Sequence, residues 1–122
     1  MEEWIIVNRE ISVAHKLECH EGKCRNLHGH TYKLKICLAP PRESNLLQFK
    51  TCPTMIMDFA SLNAFISRVL DEYDHSYLNE RLAEPTCESF ARLLFHKIAA
   101  LGFQIRYLEL YESGKNGILL EP

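Results

Sequence analysis

Residues Thr31–Leu38 alternate without a break: Tyr32, Leu34, Ile36 and Leu38 fall on one side, and Lys33, Lys35 and Cys37 on the other. A strand of that period buries one face and leaves the other wet, which points to an antiparallel sheet rather than a doubly covered parallel one. The Ile- and Val-rich run from Trp4 to Ala14 reads as its neighbour. The period then changes. Leu62, Phe65, Ile66, Val69, Leu70 and Tyr73 follow helical spacing, with Asp58 or Ser61 available as the cap. A second helix starts after Pro85 with Thr86 as N-cap and Glu88 in its first turn, gathers Phe90, Leu93, Leu94, Ile98 and Leu101 on one side, and stops at Gly102. Phe103–Glu112 alternates again, and Gly114–Gly117, with its Asn116-Gly117 pair, is the turn of a hairpin returning through Ile118–Leu120. The order strand, strand, helix, helix, strand, strand predicts an α+β fold: a four-stranded antiparallel sheet with both helices on one face. Lys16–His30 and Ala39–Pro53 read as irregular connections.

The 122 residues leave room for one domain, expected to span 1–122. A chain of this size buries about two thirds of its unfolded surface. That is enough for one core but leaves little for a deep private active site, so subunit contacts are expected to matter. Fourteen Lys and Arg stand against sixteen Asp and Glu, a net charge of −2, and no block of like charge occurs. This argues against nucleic acid or an acidic membrane surface as the main partner. No apolar run approaches the ~18 residues of a bilayer span, and Trp4–Val7, flanked by Glu2, Glu3 and Arg9, is too short for a secretory leader. Five cysteines, Cys19, Cys24, Cys37, Cys52 and Cys87, make an odd count without a disulfide framework, which fits a reduced, cytoplasmic protein.

His28-Gly29-His30 places two imidazoles on one side of a strand entrance, with a glycine between them that permits close approach. An antiparallel hairpin brings His15 back beside them. Three neutral imidazoles leave one open position on Zn²⁺, the arrangement of a catalytic site; the alternative is that the histidines simply line a polar loop. Cys24, between Lys23 and Arg25, is a candidate thiolate or an idle loop thiol. A closed structural zinc site built from Cys19, Cys24, His28 and His30 is a further alternative, although its spacing matches no common finger. Packing or surface is the default for Cys37, Cys52 and Cys87. Asp74-His75 is either a solvated helix end or a proton-transfer pair; adjacent side chains ordinarily diverge, so the two are not expected to touch. Glu112 shares a face with Leu108 and Leu110 and so needs a partner, either an Arg or Lys or a ligand with two parallel N–H donors such as an aminopyrimidinone ring. His96 falls on the wet side of the second helix.

Taken in order, Val13-Ala14-His15, Cys24-Arg25-Asn26-Leu27-His28-Gly29-His30, Asp58-Phe59, Asp74-His75 with Leu78-Asn79, Pro85-Thr86 with Glu88, and Glu112 resemble the signature set of the 6-pyruvoyl-tetrahydropterin and 6-carboxy-tetrahydropterin synthase family. The resemblance implies the tunnelling fold, in which subunits pool their strands into an oligomeric barrel, commonly a homohexamer of two trimers with active sites between neighbours. It further implies His15, His28 and His30 as zinc ligands, Cys24 as the catalytic thiolate, and Asp74 and His75 as an acid/base pair supplied by an adjacent subunit. Glu112 would anchor a pterin ring, with Thr86 nearby. Lys16, Lys23 and Arg25 are candidate triphosphate contacts, with ordinary surface cations as the alternative. Three residues between Cys24 and His28 resemble the 6-carboxy branch of queuosine and deazapurine biosynthesis. The implied substrate is 7,8-dihydroneopterin triphosphate, and the implied products are 6-carboxy-5,6,7,8-tetrahydropterin, acetaldehyde and triphosphate. Pyruvoyl-tetrahydropterin formation and aldolase-type cleavage toward folate are the sibling alternatives, and a structural-zinc binding module is the alternative of another class. Ile11 and Val13 stand where the family often has Phe and Ala, and Ala39–Pro53 follows no family pattern.

Overall fold

The computed structural model describes residues 1–122. Its first hairpin pairs β1 (Ile5–His15) with β2 (His28–Ala39) along their whole length, from Ile5 opposite Leu38 to His15 opposite His28. After a connection containing a short 3-10 turn at Asn45–Gln48 comes α1 (Phe59–Leu70), capped by the Asp58 carboxylate, which accepts from Ser61 N–H at 3.0 Å. A two-residue strand, β3 (Ser76–Tyr77), precedes α2 (Cys87–Ala99). The chain then returns through β4 (Gln104–Tyr111) and β5 (Gly117–Leu120).

The expected sheet needs one correction. It has five strands in the order β3-β1-β2-β4-β5, and it is mixed, because Ser76 and Tyr77 pair parallel to Val13 and Ala14. Two residues have no period to detect, so nothing in the pattern announces this strand. The remaining pairings are antiparallel, as expected. Glycine is required at one helix end: Gly102, at φ +105°, takes the left-handed conformation that turns the chain from α2 into β4.

Alternation settles which face is buried. Val7, Ile11 and Val13 of β1, Tyr32, Leu34, Ile36 and Leu38 of β2, and Leu108 and Leu110 of β4 join Leu62, Ile66, Phe90, Leu94 and Ile98 of the helices in one apolar cluster of 25 residues. Both helices therefore cover the same face of the sheet. On β1, Arg9 breaks this apolar series and is held by α1, where its guanidinium donates to Ser67 Oγ at 2.8 Å and to Asn63. No helix is long and apolar enough to cross a membrane.

Thr86 ends the connection into α2. Its Oγ1 accepts from Ser89 N–H at 3.1 Å and satisfies one of the free amides of the first turn. Replacing Thr86 by Ala is expected to lower unfolding free energy by about 1 kcal/mol, whereas Thr86→Ser loses much less. Urea titration of the two variants checks this; equal losses would remove the cap from the stability of α2.

Candidate metal centre

The β1–β2 register builds the centre. His15 stands opposite His28, and His30 lies one same-face step along β2. The three rings meet edge to face, with centroids 4.5 Å apart for His15 and His28, 4.7 Å for His28 and His30, and 5.0 Å for His15 and His30. Tyr32 lies beneath them, its ring 5.8 Å from His30 and 5.3 Å from Phe90.

Backbone carbonyls orient two of the rings. His15 Nδ1 is 2.8 Å from the Pro85 carbonyl, and His28 Nδ1 is 2.7 Å from the Asn26 carbonyl. A carbonyl oxygen only accepts, so each neutral ring carries its proton on Nδ1 and turns an Nε2 lone pair inward. The Nε2 atoms of His15, His28 and His30 are all buried without a hydrogen bond. A single unsatisfied buried acceptor costs about 1–3 kcal/mol, and here three converge. The nitrogens and a Glu112 carboxylate oxygen lie within 4.8 Å of one another. Burial pushes the His30 pKa below its ordinary value; the Glu112 carboxylate opposes this shift, and His15 and His28 add to it. Neutral imidazoles with inward lone pairs fit a divalent ion with affinity for nitrogen, such as zinc.

Glu112 has neither an Arg nor a Lys partner here. Glu112 directly follows β4, whose last residue Tyr111 pairs with Lys33, and its Oε1 lies 2.9 Å from His30 Nε2. Glu112 also lines a cavity of about 230 Å³ with Cys87, Glu88, Ser113 and Asn116. Burial, with Glu112 and Glu88 adding, pushes the Cys87 thiol up to about 11.

Cys24 is half-buried in a 3-10 turn at Lys23–Arg25, and its carbonyl accepts from Leu17 N–H at 2.7 Å, which folds the loop back onto the end of β1. No cysteine joins the donor cluster. Cys19 instead donates to Glu84 Oε1 at 3.2 Å, and that bond raises its pKa. The set Cys19, Cys24, His28 and His30 is therefore not assembled. Thr86 spends its hydroxyl on the α2 cap and on Ser89.

Asp74 and His75 touch, against the expectation that they diverge. His75 adopts φ +60°, which turns its ring back so that Nδ1 lies 3.1 Å from Asp74 Oδ2. The other Asp74 oxygen accepts from Ser12 N–H at 2.8 Å. The His75 side chain is 81% exposed. It borders a shallow concavity with Ser12, Gly29, His30 and Thr31. Neither Asp74 nor His75 bonds to an imidazole of the cluster; their partners are each other and Ser12.

Sequence reasoning missed the positioning groups. The Pro85 and Asn26 carbonyls carry no side-chain signal. Asn79 was legible only as part of a motif; its amide brackets Lys16, with Oδ1 accepting from the backbone N–H and Nδ2 donating to the carbonyl, both at 3.0 Å. That clasp fixes the residue directly after His15.

The Ser12 amide is the main cause holding the Asp74 carboxyl below its ordinary value, with His75 assisting and desolvation opposing. A depressed folded-state pKa gives stability that is present above the unfolded Asp value, about 3.9, and is lost as pH falls through the folded one. The stability gap between wild type and Asp74→Asn is thus expected to be constant near neutrality and to shrink below about pH 4. Denaturation across that range checks it; a gap that does not change with pH would contradict the Ser12 contact.

The family model for 6-pyruvoyl tetrahydropterin synthase matches residues 4–122. The chain is 37% identical over 106 residues to a 6-carboxy-5,6,7,8-tetrahydropterin synthase of Synechocystis sp., covering 81% of this chain and 78% of that one. It is 33% identical over 104 residues to the Haemophilus influenzae protein of the same name, covering 83% and 70%. Among solved structures, Caenorhabditis elegans 6-pyruvoyl tetrahydropterin synthase superposes with a TM-score of 0.73 at 24% identity, over 98% of this chain and 96% of that one. At that identity the likeness concerns the fold.

Proposed function

The chain belongs to the 6-pyruvoyl tetrahydropterin synthase family, and on that footing we propose that it is a zinc-dependent lyase. In this reading it converts 7,8-dihydroneopterin triphosphate and water into 6-carboxy-5,6,7,8-tetrahydropterin, acetaldehyde and triphosphate, a step of queuosine and related deazapurine biosynthesis. The observation that carries the metal is the set of three buried, unbonded Nε2 atoms. The 6-carboxy product is favoured over the 6-pyruvoyl one by the names of the Synechocystis and Haemophilus relatives and by the three-residue spacing from Cys24 to His28.

His15, His28 and His30 would hold the ion, which when bound supplies Lewis-acid polarisation of side-chain hydroxyls. Cys24, on the loop that folds back to the end of β1, moves a proton at the substrate side chain. Asp74 holds His75 by its Nδ1, leaving Nε2 free for proton exchange. Glu112 and the adjoining cavity receive the ring, whose paired N–H donors match a carboxylate. Lys16, Lys23 and Arg25 stand on the same loop for the triphosphate.

Two features support a homo-oligomer, read as a hexamer of two trimers. The His75 side chain is 81% exposed and bonds only to Asp74, which leaves it available to a metal centre of another copy. The sheet also ends in open edges: β1 beyond its short pairing with β3, and β5. Ile6 and Leu119 are exposed hydrophobics on those edge strands. Open edges of this kind are templates for strand pairing.

Incubation with 7,8-dihydroneopterin triphosphate followed by mass analysis tests the reading. The expected products are acetaldehyde and the 6-carboxy pterin, and Cys24→Ala is expected to lower turnover by at least ~100-fold while keeping its zinc. A pyruvoyl product, or a hydroxymethyl pterin with a two-carbon aldehyde, would assign one of the sibling reactions instead. Near-normal turnover of Cys24→Ala would remove this thiol from the chemistry.

A further inference from the structure

Glu112 is the one carboxylate in the imidazole cluster, and its contact there is not a hydrogen bond. Its Oε1 lies 2.9 Å from His30 Nε2, yet that buried nitrogen makes no hydrogen bond. An imidazole nitrogen and a carboxylate oxygen side by side, with no hydrogen bond between them, is the arrangement of neighbouring ligands around a shared cation. Zinc bonds of about 2.0–2.2 Å put adjacent tetrahedral donors roughly 3.3 Å apart. The donor atoms of His15, His28, His30 and Glu112 all lie within 4.8 Å of one another. Small side-chain rotations therefore suffice to bring all of them onto one ion.

Glu112 also borders the cavity of about 230 Å³ that holds Cys87, Glu88, Ser113 and Asn116. Glu112 thus belongs both to the donor cluster and to the cavity wall, and one carboxylate oxygen pair cannot serve a cation and a pair of ring N–H donors at full strength together. We propose that Glu112 works in two positions. In the free protein it closes the metal site as fourth ligand beside His15, His28 and His30. When a ring with paired N–H donors enters the cavity, Glu112 leaves the ion for the ring and opens the vertex that the substrate side chain then takes.

This deepens the pterin reading and rests on it. Two charge-assisted N–H bonds to the ring replace the one bond to the metal that is given up. The ion is four-coordinate and closed until its substrate arrives, which keeps water and foreign anions off it. Ring binding and metal ligation through Glu112 are thereby coupled with opposite sign, and the coupling is reciprocal.

The test uses the full chain stripped of metal and reloaded with Co²⁺, whose visible bands report coordination geometry. Circular dichroism of each metal-free variant checks its fold. Wild type is expected to show intense tetrahedral bands in the absence of any ligand. Glu112→Gln is expected to show weaker, shifted bands and to bind Co²⁺ at least ~10-fold more weakly, with Glu112→Asp restoring part of both. 6-Methylpterin, which carries the ring donors but no side-chain hydroxyls, is expected to move the wild-type bands toward those of Glu112→Gln. Identical bands and affinities in wild type, Gln and Asp forms would overturn the proposal, as would failure of wild type to take up Co²⁺. A Glu112 effect on the bands with no response to 6-methylpterin overturns the exchange and leaves only a fixed fourth ligand. Failure of the pterin reading itself shows separately, as no conversion of the triphosphate substrate.

Discussion

Two bonds from imidazole Nδ1 to backbone carbonyls carry the site. Without the Pro85 and Asn26 oxygens, His15 and His28 would be free to choose either tautomer and to turn. With them, each ring aims a lone pair at the same point as its neighbour. The Pro85 carbonyl is itself fixed because the next residue, Thr86, caps α2, whose buried side chains sit in the common core. The placement of a helix start thus orients a ring and selects its tautomer seventy positions away in the sequence. The Asn79 clasp on Lys16 does the same work from the other side of the strand end.

The parts of the fold that repeat were legible from the residues. Period-two alternation over Thr31–Leu38 identified the buried face of β2, and the same rule puts His28 and His30 on that face. Helical spacing located α1 and α2; of the two candidate caps for α1 the chain uses Asp58, and Thr86 caps α2 as expected. What lacked a period was not legible. The two residues of β3 are too few for any pattern, and their parallel pairing made the sheet mixed.

The site divides along the same line. Glu112 could be assigned to the core face from Leu108 and Leu110, but alternation names a face and not a partner, so His30 was not foreseen. The Asp74–His75 contact depends on a left-handed residue that is not glycine, a conformation that an L-residue adopts only where its surroundings hold it there. The Ser12 bonds on either side supply that hold: its N–H donates to Asp74, and its carbonyl accepts from His75 N–H. One chain thus holds a donor cluster on the helix side of its sheet and an exposed Asp74–His75 pair that makes no bond to it. In the proposed reading, neighbouring copies bring the two together.

The tautomers of His15 and His28 test the central claim most directly. Long-range ¹H–¹⁵N correlation spectra of the metal-free protein at neutral pH separate an Nδ1–H ring from an Nε2–H ring by their nitrogen shifts. Both residues are expected as Nδ1–H, with the Nε2 of each shifting on addition of Zn²⁺. Rings found as Nε2–H, or unmoved by the ion, would contradict a preorganised metal centre.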